Sequence, residues 1–231
     1  MTEPLLIQFF KSAILVPITL LPILNPFGNA PVFARLSTGI SRDAEKRLAR
    51  QVTINCFFML LGAMFIGSHV LAFFGISLPI VRVGGGILVI ATGWRLLNDD
   101  NNSGDGDAIR AQVATRQVWS EDEFKVRSFY PISFPLTVGP GSIAASITLG
   151  ANTPLRLPDV VISAGSAVLG VALTTLVILL CYRYANGMVR MLGRLGTMVV
   201  LRLSAFILLC IGIEIFWHGV VDLLNESGLV S

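Results

Sequence analysis

Long apolar runs recur along the chain and limit its fold more than any other feature. Residues 48–74, 76–97, 158–183 and 196–224 form such runs, and a helix needs about 20 mostly apolar residues to cross the hydrocarbon layer of a membrane. Of the 231 residues, 54% are hydrophobic and only 13% are charged, which is about half the charged fraction of a soluble domain. The sequence therefore predicts an all-α integral membrane protein.

Two further apolar segments, residues 5–38 and 128–151, are interrupted by proline and glycine. The interruptions are Pro17, Pro22, Pro26, Gly28 and Pro31 in the first segment, and Pro131, Pro135, Gly139, Pro140 and Gly141 in the second. Proline lacks a backbone N–H and clashes with the preceding helical turn, so neither segment is expected to form one regular helix. We predict six transmembrane segments, of which segments 1 and 4 are discontinuous.

The basic residues predict the orientation of these segments. Most of the 17 Lys and Arg residues fall in the loops that follow segments 1, 3 and 5. They are Arg35, Arg42, Lys46, Arg47 and Arg50, then Arg95, Arg110, Arg116, Lys125 and Arg127, then Arg183, Arg190, Arg194 and Arg202. The other side has Lys11, Arg82 and Arg156. Because basic loops stay in the cytoplasm, both termini are expected outside, on the periplasmic side of a bacterial inner membrane.

The net charge of +3 does not indicate nucleic acid as a partner, because a nucleic-acid binder gathers its basic residues on one exposed face. The polar stretch 98–127 predicts a cytoplasmic linker. It alternates Asp and Gly after Asn98, but it lacks the glutamate at position 12 that a calcium loop requires. No cofactor or metal ion is therefore expected.

An internal repeat divides the chain. Residues 81–90 align without a gap with residues 201–210, at an offset of 120. The broken segments also correspond, since Pro22 pairs with Pro135 and Gly28 with Gly141 at an offset of 113. We predict two three-span halves, residues 1–97 and 128–231. Three is an odd number, so the second half enters the membrane from the opposite side and the repeat is inverted, which is typical of secondary transporters.

The two breaks are the candidate substrate site. A helix that begins at a break presents backbone amides to a carboxylate, and the carbonyls of unwound backbone suit an ammonium group. The breaks contain no Asp, Glu, Lys or Arg, so a small neutral amino acid held near the middle of the membrane fits best. The alternative is that the prolines only kink packed helices. The candidate residues are Asn25, Pro26, Gly28, Asn29, Thr137, Gly139, Pro140, Gly141 and Ser142.

Three other features of the apolar segments have a structural interpretation, and one of them, Glu214, has a functional one as well. Glu214 is a candidate for ion coupling, because a carboxylate within a membrane span is commonly functional, but it could also face a polar vestibule near the outer interface. Arg82 is most simply explained by an ion pair or by a helix-end position. The triplet Gly84-Gly85-Gly86 predicts close packing of helices.

Residues 25–33, Asn-Pro-Phe-Gly-Asn-Ala-Pro-Val-Phe, resemble the first signature of the MarC-like membrane proteins, a family that includes neutral amino acid transporters of the SnatA type. Residues 131–141 are similar to the second signature, and residues 202–219 resemble the last helix. The resemblance implies an inverted-repeat bundle in the bacterial inner membrane that moves small neutral amino acids such as glycine or alanine. It places the substrate around Asn25–Asn29 and Thr137–Ser142. Glu214 departs from the amide side chain common at this position of the family.

The predicted function is a secondary transporter of small neutral amino acids, coupled to H⁺ or Na⁺. An exporter of other small metabolites, and a membrane scaffold or channel that does not transport, are the alternatives. An enzyme is not expected, because the sequence offers no Ser/His pair, aspartate dyad or zinc-ligand set at helix depth. The sequence does not indicate an oligomeric state.

Overall fold

The computed structural model describes residues 5–98, 119–151 and 159–227, which form helices and no strand. The helices are α1 (Leu5–Leu24), α2 (Pro26–Leu36), α3 (Arg42–Phe73), α4 (Leu78–Asn98), α5 (Glu121–Arg127), α6 (Pro140–Ala151), α7 (Asp159–Arg183) and α8 (Ala185–Glu226). Between α5 and α6 lies an irregular segment, Ser128–Thr137. The prediction of an all-α chain is confirmed for these residues.

Five of the described helices are long and apolar enough to cross a membrane, namely α1, α3, α4, α7 and α8. The run from Glu121 to Thr137 passes the same test together with α6, from which it is bent by 72°, so the described part of the chain has five or six candidate spans. Residues 99–118 and 152–158, which include most of the predicted linker, lie outside the described residues.

The end of the predicted linker forms the short helix α5. Ser120 and Glu123 make a capping box, in which the Ser120 hydroxyl accepts a hydrogen bond from the Glu123 amide at 3.2 Å and the Glu123 carboxylate accepts one from the Ser120 amide at 2.9 Å. Phe124 of this helix is buried. This spacing of Ser and Glu is a known signal for a helix start, so the start of α5 could have been predicted from the sequence.

Helix α1 continues through Pro17 and Pro22, which were expected to contribute to the break. The Ala13 carbonyl has no amide donor at position 17, and it lies against Gly170 of α7, where an added Cβ would stand 2.7 Å from the carbonyl oxygen. Glycine thus lets the neighbouring backbone approach the carbonyl that Pro17 leaves without a helical donor.

Helices α4 and α8 pack antiparallel at close range through glycines on both helices. An added Cβ at Gly86 would lie 2.5 Å from the Phe216 amide nitrogen, and one at Gly93 would lie 2.8 Å from that of Leu209. Gly212 approaches the backbone of Ile90 in the same way. The predicted packing role is confirmed for Gly86, whereas a Cβ added at Gly84 would meet no atom within 4 Å. An ion pair between Arg82 and Asp222 joins the two helices near one end, as one of the two explanations for Arg82 predicts.

Polar contacts hold α3, α5 and α8 together at the opposite end of the bundle. The Arg47 guanidinium makes two hydrogen bonds to the Glu121 carboxylate, of 2.6 and 2.5 Å, and lies 4.9 Å from the centre of the Phe124 ring. Glu45 accepts a 2.5 Å hydrogen bond from the Asn186 side chain. The Arg47–Glu121 pair is exposed, and such pairs contribute little free energy. The pair instead holds the start of α5 beside α3.

We expect Gly86→Ala to destabilise the protein and Gly84→Ala to leave it unchanged or slightly more stable. The new methyl group at position 86 overlaps the Phe216 backbone, and overpacking of this kind costs about 1–3 kcal/mol. The methyl group at position 84 enters open space on the same helix and gains up to about 1 kcal/mol of helix propensity. Thermal unfolding in detergent measures both, and equal midpoints for the two variants would contradict the described α4–α8 contact.

Candidate functional site

The first break is a single residue, Asn25, between α1 and α2. Its backbone lies in the left-handed region, at φ 45° and ψ 55°, which asparagine tolerates better than most residues. Pro26 follows as the first residue of α2 and has no N–H to continue the hydrogen bonding of α1. The Asn25 side chain instead caps the new helix, accepting a 3.1 Å hydrogen bond from the Gly28 amide.

Gly28 leaves the space that this cap occupies. A Cβ added at Gly28 would stand 2.8 Å from both Cγ and Oδ1 of Asn25 and would overlap its amide nitrogen. Any larger residue at position 28 therefore displaces the cap. The sequence motif of Asn, Pro and Gly is thus one local structure in which each residue type has a separate steric or hydrogen-bonding role.

Asn29 joins the first break to the second. Its Nδ2 donates hydrogen bonds to the Leu24 carbonyl at 2.9 Å and to the Leu136 carbonyl at 3.0 Å. Leu24 would ordinarily receive its helical bond from Gly28, whose amide is directed to Asn25. The residue four positions after Leu136 is Pro140, which has no amide to give. One side-chain amide therefore supplies a donor to a carbonyl at each break.

The second break is longer and lies between the irregular segment and α6. Tyr130 and Phe134 have extended backbone angles, with φ of −118° and −126°, and the peptide bonds before Pro131 and Pro135 are cis. The Thr137 hydroxyl bonds to the Ile132 carbonyl at 2.7 Å, and the Val138 amide donates to the Ser133 carbonyl at 2.8 Å. Side-chain and medium-range backbone bonds thus replace the regular helical pattern.

Helix α6 begins at Pro140, where a missing amide is tolerated. The Gly139 carbonyl accepts from the Ile143 amide at 3.1 Å and from the Ser142 hydroxyl at 2.8 Å. Gly141 lies against α4, and a Cβ added there would overlap the side chain of Val89. The structure therefore places Gly139, Pro140, Gly141 and Ser142 together at the start of one helix.

Tyr182 contacts α2 and the second break, and it was not among the predicted residues. Its ring stacks on Phe33 of α2 with centroids 4.5 Å apart and an interplanar angle of 13°. Its hydroxyl hydrogen-bonds to that of Thr137 at 2.7 Å, and the whole side chain is buried. The hydroxyl of a buried tyrosine requires a polar partner. A tyrosine within an apolar run was therefore the sequence signal that could have identified Tyr182.

Asn55 of α3 is the second residue that the sequence interpretation missed. Its Nδ2 donates to the Ser133 hydroxyl at 3.1 Å, and its Oδ1 accepts from Gln51 at 3.2 Å. The Ser133 hydroxyl in turn donates to the Ser128 carbonyl at 2.6 Å. Two amide residues one helical turn apart in an apolar run were the signal here, because such groups need partners inside a membrane protein.

The polar groups around the breaks bond to one another, and the described residues of the cluster carry no formal charge. Two hollows of about 440 and 270 Å³ lie on the outer surface of α1 and between α3 and α7. Neither is lined by a residue of the breaks. The arrangement is a closed, neutral network, in which amide, hydroxyl and carbonyl groups bond to one another.

The structure does not bring Glu214 into this network. Glu214 lies on α8 and is exposed on the outside of the bundle. Its backbone carbonyl shares a 2.9 Å hydrogen bond with Nδ1 of His218. A role for the Glu214 carboxylate in ion coupling stays a prediction.

Comparison with known proteins identifies relatives of nearly the whole chain. Residues 10–224 match the model of the MarC family of integral membrane proteins. The chain is 26% identical over 222 residues to the UPF0056 inner membrane protein MarC of Salmonella paratyphi A, covering 95% of this chain and 99% of that protein. A UPF0056 membrane protein of Archaeoglobus fulgidus is 28% identical over 211 residues, covering 91% of this chain and 93% of the relative. No solved structure matches the chain.

We expect Asn29→Asp to destabilise the protein strongly, because it replaces the amide donor with an oxygen that faces two carbonyl oxygens. Each carbonyl left unsatisfied costs about 1–3 kcal/mol, and 1 kcal/mol shifts the unfolding midpoint of a chain of this size by about 2–4 °C. Asn98→Asp is the matched control, since the Asn98 amide donates to the Trp94 carbonyl on an exposed helix end. A similar change in the two midpoints would show that Asn29 does not connect the breaks.

Proposed function

Since the chain belongs to the MarC family of integral membrane proteins, we propose that it is a secondary transporter of small neutral amino acids such as glycine and alanine. The observation that carries this proposal is the Asn29 amide, which bonds to a carbonyl at each of two helix breaks. Within the bundle, broken helices that meet in a neutral cluster suit a zwitterion, which brings its own two charges. The proposed activity is movement of the substrate without chemical conversion.

The proposed substrate binds by exchanging bonds within the cluster. Its carboxylate lies at the beginnings of α2 and α6, where backbone amides and the helix dipole favour a negative group. Its ammonium group takes hydrogen-bond acceptors such as the Leu24 and Leu136 carbonyls, which bond to Asn29 in the closed arrangement. The binding residues are those of the two breaks: Asn25, Pro26, Gly28, Asn29, Thr137, Gly139, Pro140, Gly141 and Ser142.

The close fit at the two glycines supports a small substrate. A Cβ at Gly28 would overlap the Asn25 side chain, and a Cβ at Gly141 would overlap Val89. Such tight packing at the breaks favours a small amino acid, such as glycine, alanine or serine, over one with a large side chain. The absence of formal charge among the described residues of the breaks disfavours substrates with a charged side chain.

We propose that the helices form two inverted repeats, and the pairwise helix contacts support this. If α1 and α2 correspond to the irregular segment and α6, and α3 and α4 to α7 and α8, most of the extensive helix contacts have a counterpart. Helix α2 packs on α8 as α6 packs on α4, and α1 packs on α7 as the irregular segment packs on α3. The same exchange maps the α3–α7 contact and the α4–α8 contact onto themselves. Such a pattern is expected of a two-fold axis in the membrane plane.

The helix directions support a sixth crossing. Gly165 lies against Phe9 and Gly170 against Val16, so α7 runs parallel to α1. Glu45 at the start of α3 bonds to Asn186 just after α7, so α3 runs opposite to α7. A short turn joins α3 to α4, which makes α4 parallel to α7. A chain that ends α4 on one side and starts α7 on the other crosses the membrane between them, through the irregular segment and α6.

We propose an inner-membrane location, as the name of the Salmonella relative states for that protein, with both termini on the periplasmic side. The basic loops support this orientation, because Arg35, Arg47 and Arg183 all lie at the end of the bundle where Glu45 meets Asn186. The driving force in this proposal is a gradient of H⁺ or Na⁺.

We expect proteoliposomes with the purified protein to take up glycine, L-alanine and L-serine faster than protein-free liposomes, and to discriminate against L-lysine and L-glutamate. Uptake measured with imposed pH and sodium gradients identifies the driving ion. Absence of binding and flux for every small neutral amino acid would refute the proposed function.

Gly28→Val and Gly141→Val are expected to lower this flux at least about tenfold, since a side chain at either position displaces a neighbour at a break. Gly84→Val is the control, because position 84 is exposed and has open space around it. Size-exclusion chromatography establishes that each variant is folded. Unchanged flux in both break variants would show that the breaks are only structural.

A C-terminal fusion to alkaline phosphatase, which is active only in the periplasm, is expected to be active, and the same fusion to green fluorescent protein is expected to be dark. Reporters fused after Arg183 are expected to give the opposite pattern, since that end of α7 is proposed to face the cytoplasm. The reverse result at both positions would contradict the proposed orientation but not the described helix contacts.

A further inference from the structure

Tyr182 lies close to the end of the bundle that the proposed orientation places in the cytoplasm. It is the last residue but one of α7, and Arg183 and Tyr184, which follow it, are both exposed. Four residues after Tyr182, the Asn186 side chain donates a hydrogen bond to Glu45 at the start of α3. About one helical turn of chain therefore separates the buried Tyr182 ring from the surface at this end.

Side chains close the second break towards this end. The Tyr182 ring stacks on Phe33 in the last turn of α2, and its hydroxyl is hydrogen-bonded to that of Thr137. The single hydroxyl hydrogen of Thr137 is donated to the Ile132 carbonyl, so Tyr182 is the donor in its bond to Thr137. Rotation of the Tyr182 side chain, or a shift of the last turn of α7, breaks both contacts.

Closely packed helices close the bundle towards the opposite end. Helix α6 contacts α3 in the half of α3 that is farther from Arg47. A Cβ added at Gly150 of α6 would overlap the Met64 carbonyl of α3, and one added at Gly67 of α3 would overlap the Ile147 side chain. Opening at this end requires two helices to separate, and close packing at small residues is what holds helices together inside membranes. Opening at the Arg183 end requires the movement of one side chain.

We propose that Tyr182 is the gate residue between the substrate site at the breaks and the cytoplasmic end of the bundle. The closed gate is held by the donor bond to Thr137 and by the stack on Phe33, which together join α7 to the second break and to α2. The open gate lacks both contacts and connects the second break with the surface beside Arg183. This inference rests on the proposed function, because it assigns Tyr182 a role in the passage of the solute.

Cys56 of α3 is a native reporter for this gate. Its side chain is fully buried, and its thiol lies beside the Ser133 and Thr137 hydroxyls of the second break. The chain has three cysteines, so replacement of the other two, Cys181→Ala and Cys210→Ser, leaves Cys56 as the single thiol. A charged, membrane-impermeant methanethiosulfonate reagent reaches Cys56 only when the bundle opens towards the side of the membrane on which the reagent is added.

The test compares the rate of Cys56 modification in inside-out and right-side-out membrane vesicles without added amino acid. Tyr182→Phe keeps the ring and removes the donor to Thr137, so it is expected to raise the rate from the Arg183 side about three- to tenfold, as the loss of one hydrogen bond does for an equilibrium. The rate from the other side is expected to stay unchanged. Phe33→Leu removes the stack and is expected to act in the same direction. Tyr184→Phe is the matched control, since Tyr184 is exposed, and no change is expected.

Unchanged rates in both Tyr182→Phe and Phe33→Leu would overturn the proposal. An equal increase from both sides of the membrane would also overturn it, because it would show that the whole bundle has loosened. The same holds for an effect of Tyr184→Phe as large as that of Tyr182→Phe. The measurement needs no substrate, so its failure is distinguishable from a failure of the proposed function, which would appear as absence of binding and flux in proteoliposomes.

Discussion

A backbone carbonyl or amide in an apolar bundle needs a hydrogen-bond partner, and this requirement governs the centre of the structure. Both helix breaks remove amide donors, at Pro26 and at Pro140. The Asn29 side chain compensates on both sides, because its two N–H groups reach the Leu24 and Leu136 carbonyls. These bonds join α2 to the irregular segment.

Glycines allow the helices around the breaks to pack closely against one another. At Gly86, Gly93 and Gly212 the backbones of α4 and α8 come so close that no side chain fits between them. Gly170 gives α7 the same access to α1. The α4–α8 pair thereby forms one wall of the bundle, against which Gly141 positions the start of α6. In this respect small residues inside the membrane act as they do in other helix pairs, by allowing van der Waals contact between backbones.

Hydropathy and proline placement were sufficient to locate the helices, because both act locally along the chain. The long helices α3, α4, α7 and α8 lie where apolar runs were found, and the first break lies at the predicted Asn25-Pro26 pair. Local patterns could not identify the partners of Asn29 or Tyr182, since these lie across the bundle at Leu136, Phe33 and Thr137. Pro17 was misleading, because α1 continues through it, and the carbonyl that it leaves without a helical donor lies against Gly170 of another helix.

The shared amide of Asn29 has a consequence for motion in the bundle. A movement that separates Asn29 from Leu136 at the second break also disturbs its bond to Leu24 at the first. A state in which only one break has opened leaves a carbonyl without a donor, which costs about 1–3 kcal/mol. The two halves of the chain are therefore mechanically coupled through one side chain, and rearrangement at the breaks is expected to be cooperative, with both changing together.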